Sequence, residues 1–245
     1  MLTQRPGLRV AAAHDEQDAV ITDFAALLDL LHEDQRVLAA ALRQRGTVAD
    51  PRVACALSGL RRLPSFTGVV FTSAHSPGSV PAGYGIGKIL IEPAFVLATS
   101  ARAAALEADV EYLIWSETGK RTAALAADAA AGEIAFAGGT AYRVLQVMTA
   151  GDPAAPSRIR VFLRETATSR RVEPGGRPVR LNPVDGALDE MDSRVLERLV
   201  TAATLRDEAM ASGQVAARPG PATLSPIGVQ ASGVPFQEAF IERYE

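Results

Sequence analysis

The chain has 245 residues, 48% of them hydrophobic, with 25 Lys and Arg against 28 Asp and Glu and a formal net charge of -3. That balance excludes a nucleic-acid binder driven by phosphate neutralisation, no run reaches the ~18 apolar residues that a bilayer-crossing helix needs, and the single Cys55 excludes an internal disulfide. The length suits one large domain, or a domain of ~150 residues with extensions.

Residues 1–14 read as an extended lead-in without the apolar core of a secretory signal. A cytoplasmic protein, one secreted without a visible signal peptide, and a piece of a longer protein all fit. Asp15 to Arg45 reads as one helix: Val20, Phe24, Leu27, Leu28, Leu31, Val37, Leu38 and Leu42 recur at spacings of three and four, with Arg43 and Arg45 late and Gly46 as the stop. Pro51 to Arg62 is a second, with Asp50 as its cap and Pro51 in the first turn. Cys55, in the apolar row Val53, Cys55, Leu57, reads as a buried inert thiol.

From Leu63 the texture becomes β-like. Pro64 and Gly68 bracket a turn before the strand Val69 to Thr72, and a long loop rich in Gly and Pro follows, a candidate for function by its length. Within it, Gly83-Tyr84-Gly85-Ile86-Gly87-Lys88 fails as a phosphate loop. No glycine stands five before Gly87, Ile89 replaces the required hydroxyl, and neither a strand leads in nor a helix out. His75 has no second ligand near it, so no metal site is expected.

Pro93 to Ser100 is the next strand. Thr99 and Ser100 either cap the alanine-rich helix Ala101 to Ala108 or, placed beside Glu133 in a sheet, offer a hydroxyl that orients its carboxylate. Strand runs follow at Tyr112 to Trp115, at Glu133, Ile134 and Phe136, at Tyr142 to Met148, and through Ile159 to Glu165. A lone strand Glu is most often a solvent-facing residue in an alternating pattern. Glu133, backed by apolar residues and the turn Gly138-Gly139-Thr140, also has the shape of a fixed acid at a strand edge.

After Glu165, residues 166–187 are polar, basic and broken by Pro and Gly, which suits a linker. Its Arg170, Arg171, Arg177 and Arg180 are either solvated or face an acidic partner. Leu188 to Ser212 is a helix with Leu188, Met191, Val195, Leu199 and Ala203 on one face and Gly213 as its end. In the tail, Phe236, Phe240 and Tyr244 at a spacing of four either dock a last turn or meet a partner chain.

The order of these elements, with LPSFTGVVF, then AFVLATS, then TGKR, then GEIAFAGGTAYRV, then IRVFLRE, resembles the mono-ADP-ribosyltransferase family, in the branch built on an arginine, a Ser-Thr-Ser stretch and a Glu-x-Glu pair. The resemblance spans roughly Leu63 to Glu165. It implies an α+β fold with a split β core, N-terminal helices and a C-terminal helical arm: lead-in 1–14, domain 15–165, linker 166–187, and helix with extended tail 188–245. It implies NAD as a possible substrate, and no other cofactor. Glu133 matches the catalytic glutamate, with Ser100 beside it. Thr99 and Ser100 match the last two positions of Ser-Thr-Ser, Gly139 and Thr140 match a Gly-Thr turn, and Thr72 stands where the family has its dinucleotide-holding arginine. Ala98 and Ala131 replace the first serine and the outer glutamate.

These departures imply a degenerate member serving as a binding or structural module of a larger bacterial protein, with a protein partner through the C-terminal arm. The alternative is an active NAD glycohydrolase or mono-ADP-ribosyltransferase using Glu133.

Overall fold

The computed structural model describes residues 14–32, 35–45, 51–75, 83–102, 104, 108–123, 125, 132–150, 158–166, 170–172, 178–180, 187–213, 222–223, 226–230 and 235–236. Lead-in residues 1–13, Ala131, Phe240 and Tyr244 lie outside them. Three helices come first: α1 (His14–His32), α2 (Gln35–Arg45) and α3 (Pro51–Arg62). Residues 33 and 34 lie outside the described residues, and on both sides of them the span expected as one helix to Arg45 is helical. In α3 the buried positions are Val53, Ala56, Gly59 and Leu60. That is a 3.6-residue period, so the two-residue row through Cys55 does not share a face and the thiol is only half-buried. Gly59 lets α3 cross α1 closely, since a Cβ there would lie 2.6 Å from the Asp23 carbonyl oxygen. Ser58 donates to the Asp23 carboxylate at 2.5 Å beside this crossing.

The sheet strands are β1 (Gly68–Ala74), β2 (Ile89–Glu92), β3 (Val96–Thr99), β4 (Val110–Ser116), β5 (Lys120–Arg121), β6 (Glu133–Phe136), β7 (Thr140–Ala150) and β8 (Arg158–Thr166). Their order is β2-β7-β8-β4-β1-β3-β6-β5. All pairings along this path are antiparallel except β4 with β8. The core is split as expected: β3, β6 and β5 join the other five strands through one register pair, Phe71 opposite Thr99.

Within the residues read as a linker, β9 (Arg170–Val172) and β10 (Pro178–Arg180) form a separate two-stranded antiparallel sheet. Helix α4 (Glu190–Ala211) follows, and β11 (Ala222–Thr223) returns to pair in parallel with Ser73 and Ala74 of β1. No described helix is long and apolar enough to cross a membrane. The helix expected over Ala101 to Ala108 does not form among its described residues, where Ala104 N–H closes a turn on the Ala101 carbonyl.

Alternation along the strands sends their residues to two faces. One face builds a core of Val70, Tyr112, Ile114, Ile134, Phe136 and Tyr142 among others. There Tyr84 and Tyr112 share a hydrogen bond at 2.7 Å, and Tyr84 also donates to the Ile227 carbonyl at 2.9 Å. Burial pushes both hydroxyls up, so they stay neutral. Tyr84 thus anchors the glycine-rich turn, whose Gly87 N–H donates to the Val144 carbonyl. The other face is covered in two places. Helices α1 and α3 lie over Leu97 and Ala135, and α4 over Phe71, Leu113, Leu145 and Phe162.

Helix α4 begins with a reciprocal cap. Asp189 accepts from Asp192 N–H at 2.7 Å, and Asp192 accepts from Asp189 N–H at 3.0 Å. That backbone donor holds the Asp189 carboxyl below the usual carboxylate range. Asp189→Ala is expected to cost roughly 0.5–2 kcal/mol. Because the folded-state value is lowered, the stabilisation is present above the ordinary carboxylate range and is lost as pH falls through the lowered value. Urea denaturation of the two proteins should show a gap at neutral pH that closes in acid.

Candidate functional site

The register across four strands lines up one row of side chains. Phe71 stands opposite Thr99, and Thr99 opposite Glu133. Strand β5 pairs Lys120 with Ala135 and Arg121 with Ile134, so the next residue, Thr122, arrives opposite Glu133. Opposed residues project to the same face. The row therefore lies on the helix-covered side, with α1 and α3 packed toward β6 and α4 toward β1.

Glu133 is half-buried at the first position of β6. Gly132 precedes it with φ +96, and a Cβ there would lie 2.7 Å from Ser100 Oγ. Only glycine meets both demands. The Gly132 carbonyl accepts from Ser100 N–H at 2.8 Å and from Ser100 Oγ at 3.2 Å. The Ser100 hydroxyl thus holds the backbone before Glu133, whereas the sequence reading gave it the carboxylate. The carboxylate is held by Thr122, whose Oγ1 donates to Oε1 at 2.8 Å. Thr99 Oγ1 accepts from Ala101 N–H at 3.0 Å, so it caps the turn that leaves β3.

Two expected cofactor contacts are placed elsewhere. Thr72 is opposite Tyr112 and fully buried. It is one residue past Phe71, so its side chain leaves the face that carries Thr99 and Glu133. Gly139 makes the turn from β6 into β7 with φ +86, and its N–H donates to the Glu92 carbonyl at 2.7 Å. It stands at the far end of β6, six residues from Glu133, roughly 15–20 Å along the chain. The structure therefore brings together Thr99, Ser100 and Glu133, and leaves out Thr72 and Gly139. Ala98 is fully buried in the core on the other face.

A cation does reach this neighbourhood, from α4. The Arg206 guanidinium lies 5.2 Å over the Phe71 ring. Its Nε donates to Glu111 Oε1 at 2.6 Å, and its terminal nitrogens donate to the carbonyls of Arg102 and, at 2.6 Å, Ala104. Arg206 and Glu111 are each 1% exposed, and each nitrogen of the fork has a protein partner. Arg102, two residues past Ser100, is exposed.

Thr122 and Arg206 escaped the sequence reading. Thr122 sits in an alanine-rich stretch with no strand signal. Arg206 did carry a signal, because Val195, Leu199, Ala202, Ala203 and Arg206 continue one helical stripe.

No protein-family model matches the chain, and no curated protein matches it. Among solved structures it is similar to the type III effector XopAI from Xanthomonas axonopodis pv. citri, with 23% identity over 59% of this chain and 63% of that one and a TM-score of 0.49. It is also similar to exoenzyme S from Pseudomonas aeruginosa, solved with human 14-3-3 protein beta and bound to Carba-NAD, with 17% identity, 64% and 78% coverage and a TM-score of 0.48. The ATR domain of Salmonella SpvB is similar at 17% identity, 59% and 98% coverage and a TM-score of 0.48. This chain spans less than two thirds of the XopAI chain.

Proposed function

We propose that this is an ADP-ribosyltransferase-like domain that keeps the carboxylate half of its site and has given up the cation half. It acts as a binding or structural module of a larger bacterial protein, with weak or no NAD chemistry. The observation that carries this reading is the fate of the positive charge. Thr72 is fully buried, and the arginine that does approach, Arg206, is neutralised by Glu111. A dinucleotide presents two phosphates, and losing one charge-assisted contact to them costs on the order of 2 to 5 kcal/mol, roughly tenfold in affinity for each 1.4 kcal/mol.

A second reading has its own support. Glu133 is half-buried and fixed by Thr122, with exposed Arg102 available to phosphate. Breaking the bond from nicotinamide to ribose leaves its electron pair on nicotinamide and positive charge on the sugar. A fixed carboxylate beside the ribose stabilises that charge, and water adds to the sugar with release of a proton. With Ala131 in place of an outer glutamate, no carboxylate there activates an arginine acceptor, so hydrolysis is favoured over transfer.

Calorimetry with NAD and a nicotinamide-release assay on wild type and Glu133→Gln separate the readings. The module reading expects no saturable binding at millimolar NAD and no release. Saturable binding, with release abolished in Glu133→Gln, would establish the hydrolase instead.

A further inference from the structure

We infer that Thr122 is the positioning residue for Glu133, holding one carboxylate oxygen so that the other is left for the ligand. The inference rests on the second, catalytic reading of the site. Thr122 and Glu133 are 11 residues apart and meet because β5 and β6 pair. Thr122 N–H donates to the Glu133 carbonyl at 3.2 Å, which continues the ladder past Arg121. The hydroxyl then has one proton and two acceptors within reach, the carbonyl at 3.4 Å and Oε1 at 2.8 Å. The shorter, charge-assisted contact takes it.

Three features make this bond a positioning device. Thr122 is 1% exposed, so water does not replace its hydroxyl. Its β-branched side chain is stiff about the first torsion, which fixes where the hydroxyl oxygen sits. Among the described residues no other hydrogen bond reaches the Glu133 carboxylate, so Oε1 is tethered and Oε2 remains the oxygen that a ribose would meet. Thr122 thus does what the sequence reading expected of Ser100, from the opposite neighbouring strand.

The test compares Thr122→Val, which keeps the shape and removes the donor, with Thr122→Ser, which keeps the donor. Nicotinamide release over a range of NAD concentrations should show kcat reduced roughly tenfold to a hundredfold in Thr122→Val, with KM unchanged. Thr122→Ser should recover to within a few-fold of wild type. Thermal melting of each variant reads out folding separately. A wild-type kcat in Thr122→Val, or a Thr122→Ser variant no better than Thr122→Val, overturns the inference and leaves the catalytic reading standing. If wild type releases no nicotinamide, the catalytic reading falls by itself. Crystal structures then decide the positioning: the Glu133 carboxylate should hold one rotamer in wild type and Thr122→Ser and leave it in Thr122→Val, and an unmoved carboxylate in Thr122→Val overturns the inference.

Discussion

Glu111→Ala is expected to lower the unfolding free energy by about 3–5 kcal/mol, the cost of removing one partner from a buried ion pair. Glu111 accepts from Arg206 at 2.6 Å on one oxygen and from Arg160 at 2.7 Å on the other. Arg160 keeps a second partner, Asp207, through bonds of 3.0 and 2.8 Å. Among the described residues Arg206 keeps only the Arg102 and Ala104 carbonyls and the Phe71 ring, and these offset a desolvated guanidinium far less than a carboxylate does. Urea denaturation at neutral pH measures the loss. The double replacement Glu111→Leu with Arg206→Met removes both charges at once and should recover at least half of it. A Glu111→Ala cost below about 1 kcal/mol would place the pair in the range of solvated surface bridges.

The same cluster links α4 to the candidate site. The carbonyls that Arg206 holds belong to the turn directly after Ser100, and the ring beneath it is the neighbour of Thr99 in the sheet. A C-terminal helix thus sets the backbone beside Glu133.

Much of this was legible before any coordinates. The strands around Val70, Leu113 and Val144 announce themselves by β-branched and aromatic runs, and α4 by its apolar stripe ending at Gly213. Pairing Glu133 with Thr99 followed only from the order of elements, since register depends on partners remote in sequence. Thr122 was illegible for the same reason. A two-residue strand carries no periodicity, and nothing local marks its next residue as opposite a carboxylate. At the described residues of the span after Ser100 no helix forms despite alanine's propensity, and Arg206 there takes the Arg102 and Ala104 carbonyls that a helix would use internally. Met191, expected on the buried stripe of α4, is 54% exposed; it falls in the first turn, before the stripe meets the sheet at Val195.

Glu92→Ala should rival Glu111→Ala, again by about 3–5 kcal/mol, because this carboxylate ties three remote segments together. Glu92 is fully buried at the end of β2. Arg43 of α2 reaches it through two bonds, 3.0 and 2.5 Å. Ala94 N–H and Gly228 N–H donate to it at 2.9 and 2.8 Å. Arg43 in turn donates to the Pro226 carbonyl at 3.2 Å and lies 6.0 Å over the Phe236 ring. Burial pushes the Glu92 carboxyl up, against the pull of Arg43 and the two amides. A raised folded-state value means that folding takes up a proton, so the contribution of Glu92 is greatest below the ordinary carboxylate range and declines as pH rises through the raised value. Glu92→Gln removes that titration. Denaturant unfolding of wild type and Glu92→Gln across this range should therefore show wild type losing ground with rising pH, and a difference independent of pH would mean that Glu92 titrates alike in the folded and unfolded chains.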